Sequence, residues 1–264
     1  MTVQLRIGRR RRGAGSGLAT LLLLLITIGV GYSVLAPSGR AQDAGTGNAR
    51  DVQRGRALFL TSCASCHGLD AAGGAQAPSL IGVGGAAVHF QVSTGRMPLQ
   101  QQGPQAARKR PRFTEQEVDQ LAAYIQSLGG GPAVPTDSQL NLNDAKLTEG
   151  GEIFRANCAS CHNFAGQGGA LTHGKYAPPL GRASNRQIYE AMVTGPESMP
   201  VFGDSQITPD QKRSVIKFLR SLDQESNPGG NGIGRLGPIP EGLVAWVVGL
   251  GALVVMTLWI GARA

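Results

Sequence analysis

Two uninterrupted apolar runs bracket the chain, and the stretch between them is patterned differently. Leu18 to Leu35, "LATLLLLLITIGVGYSVL", holds 18 residues without a charge, and Leu243 to Ile260, "LVAWVVGLGALVVMTLWI", holds 18 more. Each would make a helix roughly 27 Å long, just enough to cross the hydrocarbon core of a bilayer. The arginine run at residues 9 to 12 precedes the first segment, which predicts a cytoplasmic N-terminus and export of the chain beyond Leu35. The small residues of "SVLA" keep a cleaved signal open beside a retained helix. The second run carries Trp246 and Trp259 near its edges, as interface aromatics would be, and comes after the glycine- and proline-rich "NPGGNGIGRLGPIP". It reads as a membrane anchor with Arg263 on the cytoplasmic side. The soluble part, about residues 45 to 225, is then expected on the outer face.

Between the anchors the apolar positions recur at helical spacing. Val52, Leu58 and Phe59 form one such set, Ile153 and Phe154 another, and Val118, Leu121, Tyr124, Ile125 and Leu128 a full stripe. The words "TEQE" at 114 to 117 and "TPDQ" at 208 to 211 are capping boxes that start helices, with Pro209 at the first helical position. Helices joined by long glycine-rich loops leave no room for a sheet, so the expected class is all-α.

The chain also repeats itself. Laying Cys63 on Cys158 puts "GRALFLTSCASCH" over "GGEIFRANCASCH". Downstream, "APSL" faces "APPL", "TGRMP" faces "TGPESMP", and "LAAYIQSL" faces "VIKFLRSL". The expected organisation is a basic cytoplasmic N-terminus (1–17), a membrane helix or signal segment (18–36), a first domain (45–130), a linker (131–145), a second domain (146–225), a further linker (226–241) and a C-terminal membrane helix (242–261). The first linker, rich in glycine, proline and polar residues, is expected to sustain no helix and bury no face.

A net charge of +8 invites a nucleic-acid reading, but its distribution argues against one. Residues 1 to 50 hold seven arginines against one acid, Asp43, whereas 51 to 130 holds seven basic and five acidic residues and 146 to 222 holds nine and six. The folded parts are near neutral, and no basic face interleaved with aromatics is present. Nucleic acid is therefore excluded as a partner.

The chemistry is concentrated in one word. "CASCH" occurs at 63 to 67 and at 158 to 162, and it uses all four cysteines and two of the four histidines. The spacing C-x-x-C-H lets two thiols on one helical turn form thioethers to the vinyl groups of a haem while the histidine comes beneath the iron. Cys63, Cys66, Cys158 and Cys161 are thus candidate attachment points, with His67 and His162 as proximal ligands. A zinc site would use the four cysteines together, and a thioredoxin-like pair needs a βαβ context that is lacking here. A domain of about 80 residues with so few large apolar side chains also needs something to fill its core.

The sixth ligand is expected from Met97, 30 residues past His67, and Met199, 37 past His162. Each precedes a proline, and a thioether favours ferrous iron. Met192, on a helix face, reads as core. His89 and His173 are the rival ligands, each lacking a counterpart in the other repeat and reading as loop or surface histidines. The glycines and prolines around Pro78 and Pro178 would let backbone carbonyls approach the histidine rings and fix their tautomers.

With these motifs, residues 51 to 222 resemble two fused class I cytochrome c domains. The whole arrangement resembles the dihaem cytochrome c subunit family of the actinobacterial menaquinol–cytochrome c reductase, the bcc complex. The resemblance implies two covalently bound c-type haems, and partners in a Rieske iron–sulfur subunit, a cytochrome b subunit and an aa3-type haem–copper oxidase. It also implies that the chain is the electron-transfer subunit of a reductase, with no substrate chemistry of its own. A dihaem carrier serving another oxidoreductase, or a dihaem peroxidase, is the alternative; the peroxidase would need an iron with an open sixth position. Two insertions find no role at this level. "LQQQGPQAARKRPRF", after Met97, carries Arg108, Lys109, Arg110 and Arg112 and reads as a solvated loop or an acidic partner's docking surface. "AGQGGALTHGK" lengthens the loop after the second motif.

Overall fold

The computed structural model describes residues 14–35, 49–101, 103–224 and 238–263. The basic N-terminus before Ala14 and most of the glycine-rich second linker lie outside the described residues. Helix α1 (Ala14–Leu35) forms a unit of its own, and its apolar side chains from Leu21 to Val30 are exposed. Near the other end of the chain, α11 spans Pro238–Gly261. Among the described residues, its stretch Ile239–Gly261 is the one helix long and apolar enough to cross a membrane; α1 holds a shorter apolar stretch, Ala19–Gly31. The α11 side chains are exposed from Trp246 to Ile260, and the Arg263 guanidinium lies 4.6 Å over the Trp259 ring.

The first repeat folds as α2 (Ala49–Ser62), α3 (Ala64–His67), α4 (Gly85–Ser93) and α5 (Glu115–Ser127). The second folds as α7 (Leu147–Asn157), α8 (Ala159–His162), α9 (Asn185–Thr194) and α10 (Pro209–Gln224). Both use the same frame, in which the opening helix crosses the closing one at a glycine. A Cβ on Gly55 would stand 1.9 Å from the Gln120 carbonyl oxygen, and one on Gly150 would stand 1.9 Å from that of Ser214. The helices therefore touch backbone to backbone, which only glycine permits. One turn on, Phe59 tilts against Tyr124 with ring centroids 5.4 Å apart, and Phe154 against Phe218 at 5.5 Å. The two cores grow from these pairs: Phe59 with Val118, Leu121 and Ile125, and Phe154 with Ile188, Val215, Ile216 and Leu219.

The closing helices start where their capping boxes place them. The Thr114 N–H donates to Glu117 Oε2 at 2.8 Å and the Glu117 N–H to Thr114 Oγ1 at 3.4 Å. Thr208 and Gln211 make the same exchange at 2.9 and 3.3 Å.

The all-α expectation holds, with two local departures. Among the described residues the fold is all-α except for one two-stranded antiparallel ribbon, β1 (Gly169–Ala170) with β2 (Tyr176–Ala177), which closes the insertion after the second motif. The first linker carries a one-turn helix, α6 (Asp137–Leu140), capped by Thr136 and Gln139. Leu140 and Leu142 pack on the second core, and Gln139 Nε2 donates to the Tyr189 hydroxyl at 3.2 Å, so this linker is tied to the second domain. Helix α4 has no periodic signature in the sequence, being apolar nearly all round, and it packs on both α5 and α9. Helices α4 and α9 each end at the Thr-Gly before the methionine loop. The two repeats meet through them.

Candidate functional site

Each C-x-x-C-H word straddles a break between two helices. The opening helix stops at the first cysteine, and the short helix after it carries the second cysteine and the histidine. None of the four cysteines is taken up in a disulfide. Cys63 and Cys158 are half-buried against their cores while Cys66 and Cys161 are exposed. Desolvation by burial, with the neighbouring thiol adding to it, pushes Cys63 and Cys158 each up to about 11.

His67 Nδ1 lies 2.9 Å from the Pro78 carbonyl oxygen, and His162 Nδ1 lies 3.1 Å from that of Pro178. A carbonyl oxygen only accepts, so Nδ1 must be the protonated nitrogen, and Nε2 keeps a lone pair for a metal. The carbonyls reach the rings because Gly73 and Gly168 take positive φ (84° and 82°) where the chain folds back. A Cβ on Gly73 would stand 2.4 Å from the Ser79 nitrogen, and one on Gly168 would stand 2.3 Å from the Ala177 carbonyl oxygen. His162 is 9 % exposed, and that desolvation lowers its basicity, with the Pro178 bond opposing. Both the lowered basicity and the fixed tautomer favour a neutral ring with a free Nε2 lone pair.

Met97 and Met199 are half-buried and pack against the same clusters as Cys63 and Cys158 respectively. In the second repeat Cys158, Cys161, His162 and Met199 all border one cavity of about 600 Å³. Phe154, Leu171, Ile188, Val215 and Leu219 give it apolar walls suited to a flat macrocycle. Met192 is buried in the core, as its helix position predicts, and also touches this cavity.

The rival histidines separate. His173 sits in an exposed turn with φ 57°. His89 is neither loop nor surface: it is 4 % exposed on α4, with Nδ1 2.7 Å from Oε1 of the fully buried Glu190 on α9. Asp119 approaches its other nitrogen at 3.6 Å. This pair between the repeats escaped sequence reading, although a glutamate in the apolar face of "IYEAMV" was a signal for it.

The two unexplained insertions turn out to meet. The Gln105 side chain behaves as a strand fragment: its Nε2 donates to the Tyr176 carbonyl and the Tyr176 N–H donates to its Oε1, both at 2.9 Å. The Ala106 N–H donates to Glu197 Oε1 at 3.1 Å, two residues before Met199, and Arg108 Nη2 to Gln187 Oε1 at 3.3 Å. The first repeat's methionine loop thus braces that of the second.

Comparison with known proteins places both repeats. A family model described as cytochrome c matches residues 52–129, and one described as cytochrome c oxidase, cbb3-type, subunit III matches 145–219. The chain is 47 % identical over 238 residues to the cytochrome bc1 complex cytochrome c subunit of Mycobacterium leprae (strain TN), covering 88 % of this chain and 82 % of that one. It is 44 % identical over 227 residues to its namesake in Corynebacterium efficiens, covering 80 % and 77 %. The cbb3-type cytochrome c oxidase subunit CcoP of Rhodobacter capsulatus matches more narrowly, at 32 % over 126 residues, 43 % of this chain and 39 % of that one. Two cytochrome c domains imply two covalently bound c-type haems, and the tautomer-fixed histidines and apolar cavity fit that group. The chain belongs to the family of cytochrome c subunits of the cytochrome bc1 complex.

Proposed function

We propose that this chain relays electrons from a Rieske iron–sulfur protein, through its two haems, to an aa3-type terminal oxidase, as the electron-transfer subunit of a menaquinol–cytochrome c reductase. Cys63 and Cys66 hold the first haem and Cys158 and Cys161 the second. His67 and Met97 are axial ligands in one domain, His162 and Met199 in the other. When bound, each haem supplies one reversible ferric/ferrous couple. The protein orients the histidines through Pro78 and Pro178, gives the second site apolar walls, and offers a thioether that favours the ferrous state. With both sixth positions closed, the chain carries electrons and does not turn over a substrate.

The observation that carries this reading is the histidine geometry. In both domains Nδ1 is spent on a proline carbonyl, which leaves Nε2 as the only nitrogen able to bind iron. The exposed apolar surface of α11 supports membrane anchoring, and the arginines ahead of α1 support placing both haem domains on the outer face. Anchoring raises the effective concentration of each docking partner, so the first domain can receive electrons while the second passes them on.

Purification from a detergent extract through a tag on this chain tests the assignment. Co-purification of a cytochrome b, an iron–sulfur protein and a haem–copper oxidase, with quinol oxidase activity, is expected. Recovery of the chain alone would leave a generic dihaem carrier, and ready binding of carbon monoxide would favour the peroxidase alternative.

A further inference from the structure

The second domain's cavity has two kinds of wall. Its own residues give an apolar lining, but part of the rim comes from the first domain and is cationic, including Arg96, Arg108, Lys109 and Arg110. Lys109 is occupied elsewhere, since its Nζ donates to the Pro98 carbonyl at 2.8 Å. Arg96 is different. It is 6 % exposed, its guanidinium lies 4.9 Å over the Phe90 ring, and its Nε has no hydrogen-bond partner. It takes part in none of the ion pairs among the described residues. The Arg108 guanidinium donates to a neutral amide, that of Gln187, and its charge adds to that of Arg96. The carboxylate of Glu197 accepts from the Ala106 N–H and attracts Arg96 through its charge, without forming an ion pair with it.

A buried guanidinium with an unsatisfied nitrogen costs free energy unless an anion meets it. Arginine suits a carboxylate in particular, because its planar fork matches the two oxygens. The periphery of a haem carries two carboxylates. We propose that the methionine loop of the first domain, together with its insert, completes the haem site of the second, with Arg96, just ahead of Met97, and Arg108, within the insert, pairing with the carboxylates of the second haem. This rests on the assignment of Cys158, Cys161 and His162 to that haem. It gives the basic insert a role within the chain, in place of a solvated loop or a surface for an outside partner. It also makes the second haem's potential depend on the first domain, because neutralising those carboxylates favours the reduced, less positive iron.

The test is a redox titration of the full-length dihaem protein in detergent, with the haems told apart by their low-spin ferric electron paramagnetic resonance signals. Arg96→Gln is expected to lower the equilibrium constant for reduction of the second haem about tenfold, a fall of about 59 mV for a one-electron couple. The first haem should move less. Arg108→Gln should act in the same direction but more weakly, and its effect should fade with added salt because that side chain is exposed. Arg96→Lys, which keeps the charge, should recover most of the loss, which a merely structural role would not allow. If Arg96→Gln fails to take up its second haem, Arg108→Gln and Arg96→Lys decide. Unchanged second-haem potentials in the variants that carry both haems overturn the proposal, as does a shift confined to the first haem. Absence of a thioether-linked haem at Cys158 and Cys161 in the unmodified chain would instead refute the underlying assignment.

Discussion

In the first domain the methionine loop is closed by its own insertion, with the Lys109 N–H donating to the Thr94 carbonyl at 3.3 Å and Lys109 Nζ to that of Pro98 at 2.8 Å. In the second the corresponding loop has its own tie, Lys175 Nζ donating to Ser198 Oγ at 3.0 Å, and is also held from outside, through Ala106 and Glu197. His67 stays half-exposed where His162 is buried. The parts the domains share are the glycine crossing, the aromatic pair and the histidine–proline bond. The parts that differ set how much water and charge each iron feels. A c-type haem's potential rises with burial and with nearby positive charge. The second haem should therefore be the easier to reduce, which suits electron flow from the first domain to the second.

The sharpest way to break this symmetry is at the sixth ligand. Met199→Leu and Met97→Leu should each lower the potential of one haem only, by on the order of 0.1–0.2 V of the roughly 0.8 V that axial ligation commands. Each should open that iron to carbon monoxide, and optical titration would read both effects. A variant with an unchanged potential would remove that methionine from the ligand set.

The shared frame predicts equal damage on both sides. Gly55→Ala and Gly150→Ala each drive a methyl into a carbonyl oxygen, and each should cost about 3 kcal/mol, at the upper end for overpacking. Thermal unfolding followed by helical circular dichroism should show similar losses. The brace predicts unequal damage. Gln105→Ala removes two backbone-directed hydrogen bonds worth about 2 kcal/mol together, and the lost protection should appear by hydrogen exchange in the 169–177 ribbon of the second domain.

A smaller effect should accompany pH. Burial pushes the Glu190 carboxyl up, while the hydrogen bond and charge of His89 and the charge of Arg186 oppose this and Asp119 adds to it. An acid whose folded value is raised contributes stability that is complete below its unfolded value, about 4.3, and is lost as pH rises through the folded one. Denaturant titrations should show stability falling with pH across that window, with the slope reduced in Glu190→Gln.

Much of this was legible in the residues because it is local. A capping box is four consecutive residues, C-x-x-C-H is five, and the repeat doubles each signal; even the proline carbonyls were readable from the glycines that let them approach. What escaped was non-local. Gln105 and Tyr176 are 71 residues apart, and nothing in either insertion marks it as the other's partner. Helix α4 was missed for a related reason: covered by α5 on one side and α9 on the other, it has no polar face to produce a period. His89 looked like a surface residue because the carboxylate that accompanies it lies in the other repeat.

The bond between Gln105 and the ribbon also bears on the history of the chain. A duplication starts with two copies that can each live alone. Once an amide from one copy had taken the edge of the other's ribbon, selection on the two could no longer act separately, and cutting the gene between them would leave the second domain with an exposed edge where its neighbour had been.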